Sequence, residues 1–153
     1  MERSALDAFI SWKNDTRRKP LVLKGARQTG KTWLMKEFGR RYYEDVFYFS
    51  FDKDDRLKQI FEVNKNPRRI LELLGLLSEK SIQPQKHLII FDEIQECPQA
   101  LNTLKYFCED ANEYHVVSAG SLLGTLLAQP MSFLQEVCLG RSWHNQCHSL
   151  SEK

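Results

Sequence analysis

Eight consecutive residues near the start of the chain have the types and spacing needed to bind a polyphosphate. They match the pattern G-x-x-x-x-G-K-[ST] and run Gly25-Ala26-Arg27-Gln28-Thr29-Gly30-Lys31-Thr32. Glycines let the backbone turn so that successive N–H groups face an anion, and a helix beginning near Lys31 points the positive end of its dipole at the phosphates. The sequence therefore predicts that these eight residues bind ATP.

Two of the eight residues are predicted to do more than shape the loop. The Lys31 ammonium would contact the β- and γ-phosphates, so we predict a catalytic role for it, and the Thr32 hydroxyl would bind Mg²⁺. The alternative is that the glycines only form a tight turn between a strand and a helix. The complete match, which follows an apolar run and precedes apolar residues at helical spacing, favours the nucleotide site.

An acidic pair, Asp92 and Glu93, follows the apolar run Leu88-Ile89-Ile90-Phe91. Mg²⁺ prefers carboxylate and hydroxyl oxygens, so a carboxylate at the end of a neighbouring strand predicts Asp92 as a metal ligand. Glu93 would polarise the water that attacks the γ-phosphate, provided that the strand ends there and the chain turns. The alternative is that both carboxylates cap the following helix or are solvated.

Polar residues at the end of the next strand supply further candidates. The segment Ser118-Ala119-Gly120-Ser121 ends that strand, and a hydroxyl there would lie between the acidic pair and the γ-phosphate. Ser121 is therefore predicted to contact the nucleotide, although it equally suits the N-cap of the helix that follows. Gln95 is a lesser candidate for positioning water.

The elements that must position these residues alternate between helix and strand. This order predicts an α/β fold with three layers, α-β-α, around a mainly parallel sheet. The predicted helices cover residues 4–14, 31–41, 57–61, a stretch from 67, 98–113 and 122–128, and the predicted strands cover 20–23, 46–51, 88–91 and 116–121. We assign residues 1–130 to one P-loop domain.

The last 23 residues, 131–153, show no convincing periodicity. Scattered apolar residues, two histidines and two cysteines occur there without a helical or strand spacing. We therefore predict an atypical tail that is poorly ordered or loosely packed.

The composition of the 153-residue chain suits a single globular domain, with 42% hydrophobic and 27% charged residues. A net charge of +2 gives no global field that attracts nucleic acid, and the basic pairs Arg17-Arg18, Arg40-Arg41 and Arg68-Arg69 are typical of solvated surfaces.

The longest apolar stretches are about half the roughly 20 residues that a membrane-spanning helix needs. Without a signal-peptide core or a C-x-x-C pair, a cytoplasmic location with reduced cysteines is expected.

Three ordered blocks of sequence resemble a known family. They run from Lys19 to Thr32, from Phe91 to Pro98 and from Ala119 to Gly124. They are similar to the bacterial and archaeal AAA-type ATPases, in which the P-loop domain is joined to a C-terminal domain of unknown function. The resemblance covers roughly residues 4 to 130.

This resemblance implies an ASCE-type sheet in which the acidic strand lies beside the P-loop strand, with another strand intervening in sequence order. It places phosphate binding on Gly25, Gly30, Lys31 and Thr32, magnesium on Asp92, water activation on Glu93, and sensing of hydrolysis on Ser118 or Ser121.

Members of the resembled family continue with a fifth strand, further helices and a second domain. After Ser132-Phe133 the family pattern is absent from this chain, so we expect a fold that is incomplete at its C-terminal side and a truncated or frameshifted product. The missing part would supply the last sheet strand and any arginine finger. The expected partners are the nucleotide and either a second copy of the chain or the missing domain, with no membrane.

Three functions remain open from the sequence. The leading hypothesis is Mg²⁺-dependent ATP hydrolysis by an AAA-type domain. The first alternative is a fragment that binds nucleotide without turnover, and the second is the ATPase part of a DNA-processing machine, which only the short basic clusters favour. A small-molecule kinase is disfavoured because no segment resembles an acceptor-binding lid.

Overall fold

The computed structural model describes residues 2–25, 30–121 and 134–139. Within these ranges, alternating apolar segments form five strands and five α-helices, with one short 3-10 helix after the third strand. In chain order the elements are α1 (Glu2–Asn14), β1 (Leu21–Gly25), α2 (Lys31–Tyr42), β2 (Asp45–Ser50), α3 (Asp55–Val63), α4 (Pro67–Ser78), β3 (His87–Asp92), the 3-10 helix (Ile94–Glu96), α5 (Pro98–Asp110), β4 (His115–Gly120) and β5 (Gln135–Leu139).

The five strands form one parallel sheet with the spatial order β2-β3-β4-β1-β5. This confirms the predicted α/β class and its parallel sheet. The expectation that the acidic strand lies beside the P-loop strand is wrong, because β4 pairs with both β3 and β1 and separates them. After β3 the chain forms α5 and then returns to the sheet as β4, between β3 and β1. All five carboxyl ends therefore meet at one edge of the sheet, with the end of β4 in the middle.

Strand β5 corrects the prediction for the C-terminal segment. Residues Gln135–Leu139 pair in parallel with β1 along its whole length, from Leu21↔Gln135 to Gly25↔Leu139. The predicted lack of order is therefore wrong for these five residues, and the sheet has the fifth strand that the sequence analysis expected to be missing. Five residues are too few to give a period, and pairing with β1 stabilises a strand that local preference does not specify. Residues 131–133 and 140–153 lie outside the described part of the chain.

Two hydrophobic clusters fill the spaces above and below the sheet, which makes the fold three-layered. On one face, Phe9 and Trp12 of α1 and Phe38 of α2 pack on β1, β3 and β4. On the other face, residues of α3, α4 and α5 pack around Phe91, whose ring centroid lies 5.4 Å from that of Phe61 and 6.2 Å from that of Phe107. The central strands are buried on both sides, which explains their continuous apolar runs.

Side-chain caps mark the starts of α3 and α4. The side chain of Asp54 accepts a hydrogen bond from the Arg56 N–H at the start of α3, and Asn66 caps α4 in the same way, before a proline at the first helical position. Helix α5 ends at Asp110, three residues before the predicted end. The Asn112 side chain there donates to the carbonyl of Arg18, 2.5 Å away, so this turn is bonded to another part of the chain instead of continuing the helix. The predicted helix 122–128 lies outside the described residues.

A buried histidine lies at the amino end of β4, on the edge of the sheet opposite the strands' carboxyl ends. His115 is 4% exposed, and its Nδ1 atom lies 2.6 Å from the Tyr43 hydroxyl. Burial lowers the pKa of His115 to about 3, and the positive charges of Arg18 and Lys13 act in the same direction. The imidazole is therefore neutral in the folded chain throughout the neutral and mildly acidic range.

Because His115 is buried and neutral, we predict that the folded chain loses stability in acid. The unfolded chain gains a proton at His115 below its ordinary pKa of about 6.5, whereas the folded chain does not until about pH 3. Lowering the pH from about 7.5 to about 5 should therefore reduce the free energy of unfolding by about 2 kcal/mol through His115 alone. Urea unfolding at both pH values measures this loss, which should be smaller by that amount in His115→Gln. An equal loss in the parent and in His115→Gln would contradict the prediction.

Candidate functional site

The predicted site residues gather at the edge of the sheet where the parallel strands end. Gly25 is the last residue of β1, Asp92 is the last of β3, and Ser121 directly follows β4, whose Gly120 is aligned with Lys24 of β1. Helix α2 begins at Lys31, six residues after the end of β1 at Gly25. The predicted phosphate-binding residues Ala26, Arg27, Gln28 and Thr29 lie between these two elements in the sequence and outside the described residues.

The first turn of α2 is suited to an anion. Gly30 precedes the helix with φ 83° and ψ 15°, a left-handed conformation that glycine adopts without a steric penalty. As a glycine it offers no side chain to cap the helix, and the first turn contains no acidic residue. The N–H groups of this turn and the positive end of the helix dipole therefore favour a negatively charged ligand.

Lys31 connects the two ends of the predicted loop. Its side chain is only 6% exposed, and its ammonium donates a hydrogen bond to the carbonyl of Gly25 at 2.9 Å. Burial lowers the pKa of Lys31, while the negative charges of Glu93 and Asp92 act in the opposite direction. The positive charge thus lies at the end of β1 and close to the acidic pair.

Asp92 is held by three hydrogen-bond donors from three elements. Its carboxylate is 3% exposed, and its Oδ2 atom accepts from the Thr32 hydroxyl at 2.5 Å and from the Tyr48 hydroxyl at 2.6 Å. Its Oδ1 atom accepts from the N–H of Glu93 at 2.9 Å. A threonine hydroxyl and a carboxylate in direct contact form a donor set that fits Mg²⁺, which binds hard oxygen ligands together with phosphate and water.

Glu93 leaves the strand in a left-handed conformation, with φ 53° and ψ 44°. A non-glycine residue pays roughly 1–2 kcal/mol for this backbone geometry. The turn breaks the alternation of the strand, which was the condition for Glu93 to act beside Asp92. The carboxylate accepts a hydrogen bond from the Gln95 amide at 2.6 Å, and it makes no capping bond to the 3-10 helix that it precedes. The geometry therefore does not favour the alternative in which Glu93 caps a helix.

The two serines at the end of β4, Ser118 within the strand and Ser121 directly after it, are not equivalent. Ser118 alternates with Val117 and Ala119, which face α1 and α2, so its side chain lies on the α5 side of the sheet with Val116. Lys31 and Thr32 belong to α2, on the opposite side, and the structure therefore separates Ser118 from them. The hydroxyls of both serines are buried and have no hydrogen-bond partner among the described residues, but only Ser121 lies beyond the end of β4, at the edge where the parallel strands end. A buried hydroxyl there that no described residue bonds suits contact with a ligand.

Tyr48 is the site residue that the sequence analysis missed. It lies on β2, on the face that packs against α2, and burial raises the pKa of its hydroxyl above the ordinary value, with the hydrogen bond to Asp92 adding to the effect. A signal existed, because Tyr48 and Ser50 are polar side chains at alternate positions of a strand whose other side, Phe47 and Phe49, is apolar. Only the pairing of β2 with β3 shows that this polar face adjoins Asp92.

Comparison with known protein families gives one match over most of the chain. A family model described as an AAA domain matches residues 17–144. This match extends 14 residues beyond the limit of about 130 that the sequence analysis gave to the resemblance, and it includes β5. No curated protein matches the chain.

Solved structures with the same fold share little sequence with the chain. The ORC1 protein of Aeropyrum pernix in complex with DNA has a TM-score of 0.58 and 18% identity, over 99% of this chain and 47% of that one. The ORC of Drosophila bound to AT-rich DNA and Cdc6 gives 0.55 and 13%, over 88% and 52%. PCH-2 of C. elegans gives 0.54 and 15%, over 90% and 42%. The chain thus spans about half of these proteins, and the likeness concerns the fold.

The described helices include none that is long and apolar enough to cross a membrane.

The hydrogen bond between Thr32 and Asp92 predicts a measurable loss of stability. Thr32→Val keeps the shape of the side chain but removes a hydrogen bond to a charged group, which should lower the free energy of unfolding by about 2 kcal/mol. Thr103→Val is the matched control, because the buried Thr103 hydroxyl donates only to a neutral carbonyl, that of Gln99, at 2.7 Å. Its cost should be about 1 kcal/mol or less. Urea unfolding measures both, and an equal cost for the two variants would contradict a charge-assisted bond at Thr32.

Proposed function

The chain belongs to the AAA domain family, whose model matches residues 17–144, and from this premise we propose that it binds ATP with Mg²⁺ and hydrolyses the γ-phosphate. The observation that supports this function best is the contact between the start of α2 and the end of β3. There Thr32 donates to Asp92 at 2.5 Å, and the ammonium of Lys31 donates to the Gly25 carbonyl at the end of β1. Family membership alone supports a nucleotide-binding domain of the ATPase type, and these contacts support the finer proposal.

Binding of the triphosphate would use charge and backbone together. Lys31 would exchange its hydrogen bond to the Gly25 carbonyl for phosphate oxygens, and the N–H groups at the start of α2 would add their dipoles. Thr32 and Asp92 are the residues that would hold Mg²⁺, which neutralises developing negative charge on the phosphates when it is bound. Ser121 would donate its buried hydroxyl, which has no partner among the described residues, to the γ-phosphate.

Glu93 is the residue that we propose to accept a proton from the attacking water. A carboxylate can do so only if it is directed at the reaction centre, and the left-handed backbone at Glu93 frees its side chain from the alternation of β3. Gln95 donates to this carboxylate at 2.6 Å and would fix its orientation.

The same hydrogen bond supports a second candidate function, nucleotide binding without turnover. If Glu93 stays bonded to Gln95 when nucleotide binds, its carboxylate is not available to a water molecule. Phosphate release from bound ATP distinguishes this candidate from the ATPase.

Binding of DNA by the basic clusters is not proposed. Arg40 and Arg41 pair with Glu37 on α2, and Arg68 pairs with Glu113. Arg18 donates to the carbonyls of Lys13 and Asn112. These arginines are engaged within the fold, so their presence gives no evidence for a nucleic-acid surface.

The first test of the proposal concerns the charge at the loop. Lys31→Ala removes the ammonium that would contact the β- and γ-phosphates, so ATP affinity should fall by at least about 100-fold. Isothermal titration calorimetry with ATP and Mg²⁺ measures the change. Lys105→Ala, which alters an exposed lysine on α5, should bind like the parent. Equal affinity in all three proteins would refute the assignment of Lys31.

The second test separates binding from hydrolysis. Glu93→Gln keeps the size of the side chain but removes the base, so ATP affinity should stay within about twofold while turnover falls by roughly 100-fold or more. Phosphate release under single-turnover conditions measures the chemical step. The exposed Glu96 gives the control, since Glu96→Gln should hydrolyse ATP like the parent. A Glu93→Gln variant as active as the parent would rule out water activation by Glu93.

A further inference from the structure

The Tyr48 hydroxyl reaches the same carboxylate oxygen of Asp92 that accepts from Thr32. We propose that Tyr48 is a positioning residue for the Mg²⁺ site: it holds the Asp92 carboxylate in the orientation that Thr32 and the metal share. This inference rests on the proposed function, because it concerns the metal that would accompany ATP. It gives β2, a strand without any predicted site residue, a direct part in the site.

The pairing of β2 with β3 explains how a tyrosine reaches this position. Tyr48 is aligned with Ile90, and Ser50 is aligned with Asp92, so Asp92 is the diagonal neighbour of Tyr48. Diagonal neighbours on one face of a sheet are within reach of long aromatic side chains. The phenol therefore extends along the strand toward the carboxyl end, and its hydroxyl stops 2.6 Å from Asp92 Oδ2.

The arrangement of donors determines what the hydroxyl can do. The N–H of Glu93 anchors Oδ1, and the hydroxyls of Thr32 and Tyr48 both donate to Oδ2. Donors on both oxygens prevent the carboxylate from rotating about its χ2 torsion, which is otherwise soft. While the Thr32 hydroxyl donates a hydrogen bond to Asp92, the lone pairs of its oxygen remain available to a cation. Without the Tyr48 hydroxyl, one of the two bonds that fix Oδ2 is lost.

Helix α2 holds the tyrosine ring from the other side. The ammonium of Lys36 lies 4.0 Å from the centroid of the Tyr48 ring, a cation–π contact. Lys36 follows Thr32 by four residues and therefore lies on the same face of α2, one turn further along. The helix contacts Asp92 twice as a result, directly through Thr32 and indirectly through Lys36 and Tyr48. This closed set of contacts fixes the start of α2 against β2 and β3.

A tyrosine elsewhere in the fold provides a matched control. The Tyr43 hydroxyl lies 2.6 Å from His115 Nδ1, at the opposite edge of the sheet, so Tyr43→Phe removes a similar hydrogen bond away from the site. A purely structural role for Tyr48 predicts that Tyr48→Phe and Tyr43→Phe both lower stability and leave metal dependence alone. A positioning role predicts that only Tyr48→Phe changes the response to Mg²⁺.

The experiment measures nucleotide binding as a function of the Mg²⁺ concentration. For the parent, Tyr48→Phe and Tyr43→Phe, ATP affinity is determined by calorimetry in EDTA and across a Mg²⁺ series. We expect the Mg²⁺ concentration for half-maximal effect to rise about tenfold in Tyr48→Phe, as expected for the loss of one charge-assisted hydrogen bond. Affinity in EDTA should stay within about twofold, and Tyr43→Phe should match the parent in both conditions.

A second variant tests the contact from α2. Lys36→Met keeps the Tyr48 hydroxyl but removes the charge over its ring, so the half-maximal Mg²⁺ concentration should rise by a smaller factor, about threefold. Urea unfolding of every variant establishes that each one is folded under the conditions of the titration.

The possible results distinguish this inference from the proposed function. If the parent binds ATP in a Mg²⁺-dependent way and Tyr48→Phe responds to Mg²⁺ like the parent, the positioning role is wrong and the proposed function stands. An equal shift in Tyr43→Phe would also refute the role, because the effect would then be general destabilisation. If the folded parent binds no ATP with or without Mg²⁺, the proposed function and the role of Tyr48 are both overturned.

Discussion

The buried carboxylate of Asp92 is the constraint on which the arrangement of the site depends. A carboxylate removed from water is costly unless hydrogen-bond donors replace the water, and here the donors come from α2, β2 and the backbone after β3. Those three elements must therefore keep their relative positions for the carboxylate to remain satisfied. The same requirement places the start of α2, and with it Lys31, at the end of the strand that holds Asp92. One set of contacts thus stabilises the buried Asp92 carboxylate and also gives the arrangement that a nucleotide site would need.

The order of the strands determines how far apart the parts of this site lie. Because β4 lies between β1 and β3, the carboxyl ends of β1 and β3 are separated by one additional strand. Neighbouring strands are about 4.8 Å apart, so the ends of β1 and β3 lie about two strand spacings from each other. Ser121, whose hydroxyl has no partner among the described residues, directly follows the end of this middle strand. A sheet with β3 directly beside β1 would bring the acidic pair closer to the loop and leave no such position.

The sequence predicted the local parts of the fold better than the relations between them. The helix that begins at Lys31 and the strand that ends at Asp92 depend on neighbouring residues, and each lies where its local pattern predicts. Strand β5 depends on pairing with β1, and the part played by Tyr48 depends on the alignment of β2 with β3. Neither relation leaves a period or a motif in the sequence. Ser118 and Ser121 could be distinguished only from the structure, because it shows which helices cover each face of the sheet.

Glu93 shows how the backbone resolves a conflict within the acidic pair. Two adjacent carboxylates on one strand point to opposite faces, so a continuing strand would leave only Asp92 on the side of α2. The chain instead ends β3 at Asp92 and adopts a left-handed conformation at Glu93, at a cost of roughly 1–2 kcal/mol. Glycine would adopt this conformation without that cost, but it would lose the carboxylate. The strained backbone is therefore the consequence of keeping an acidic side chain at a turn whose backbone conformation alone would favour glycine. Strain of this kind is typical of functional positions.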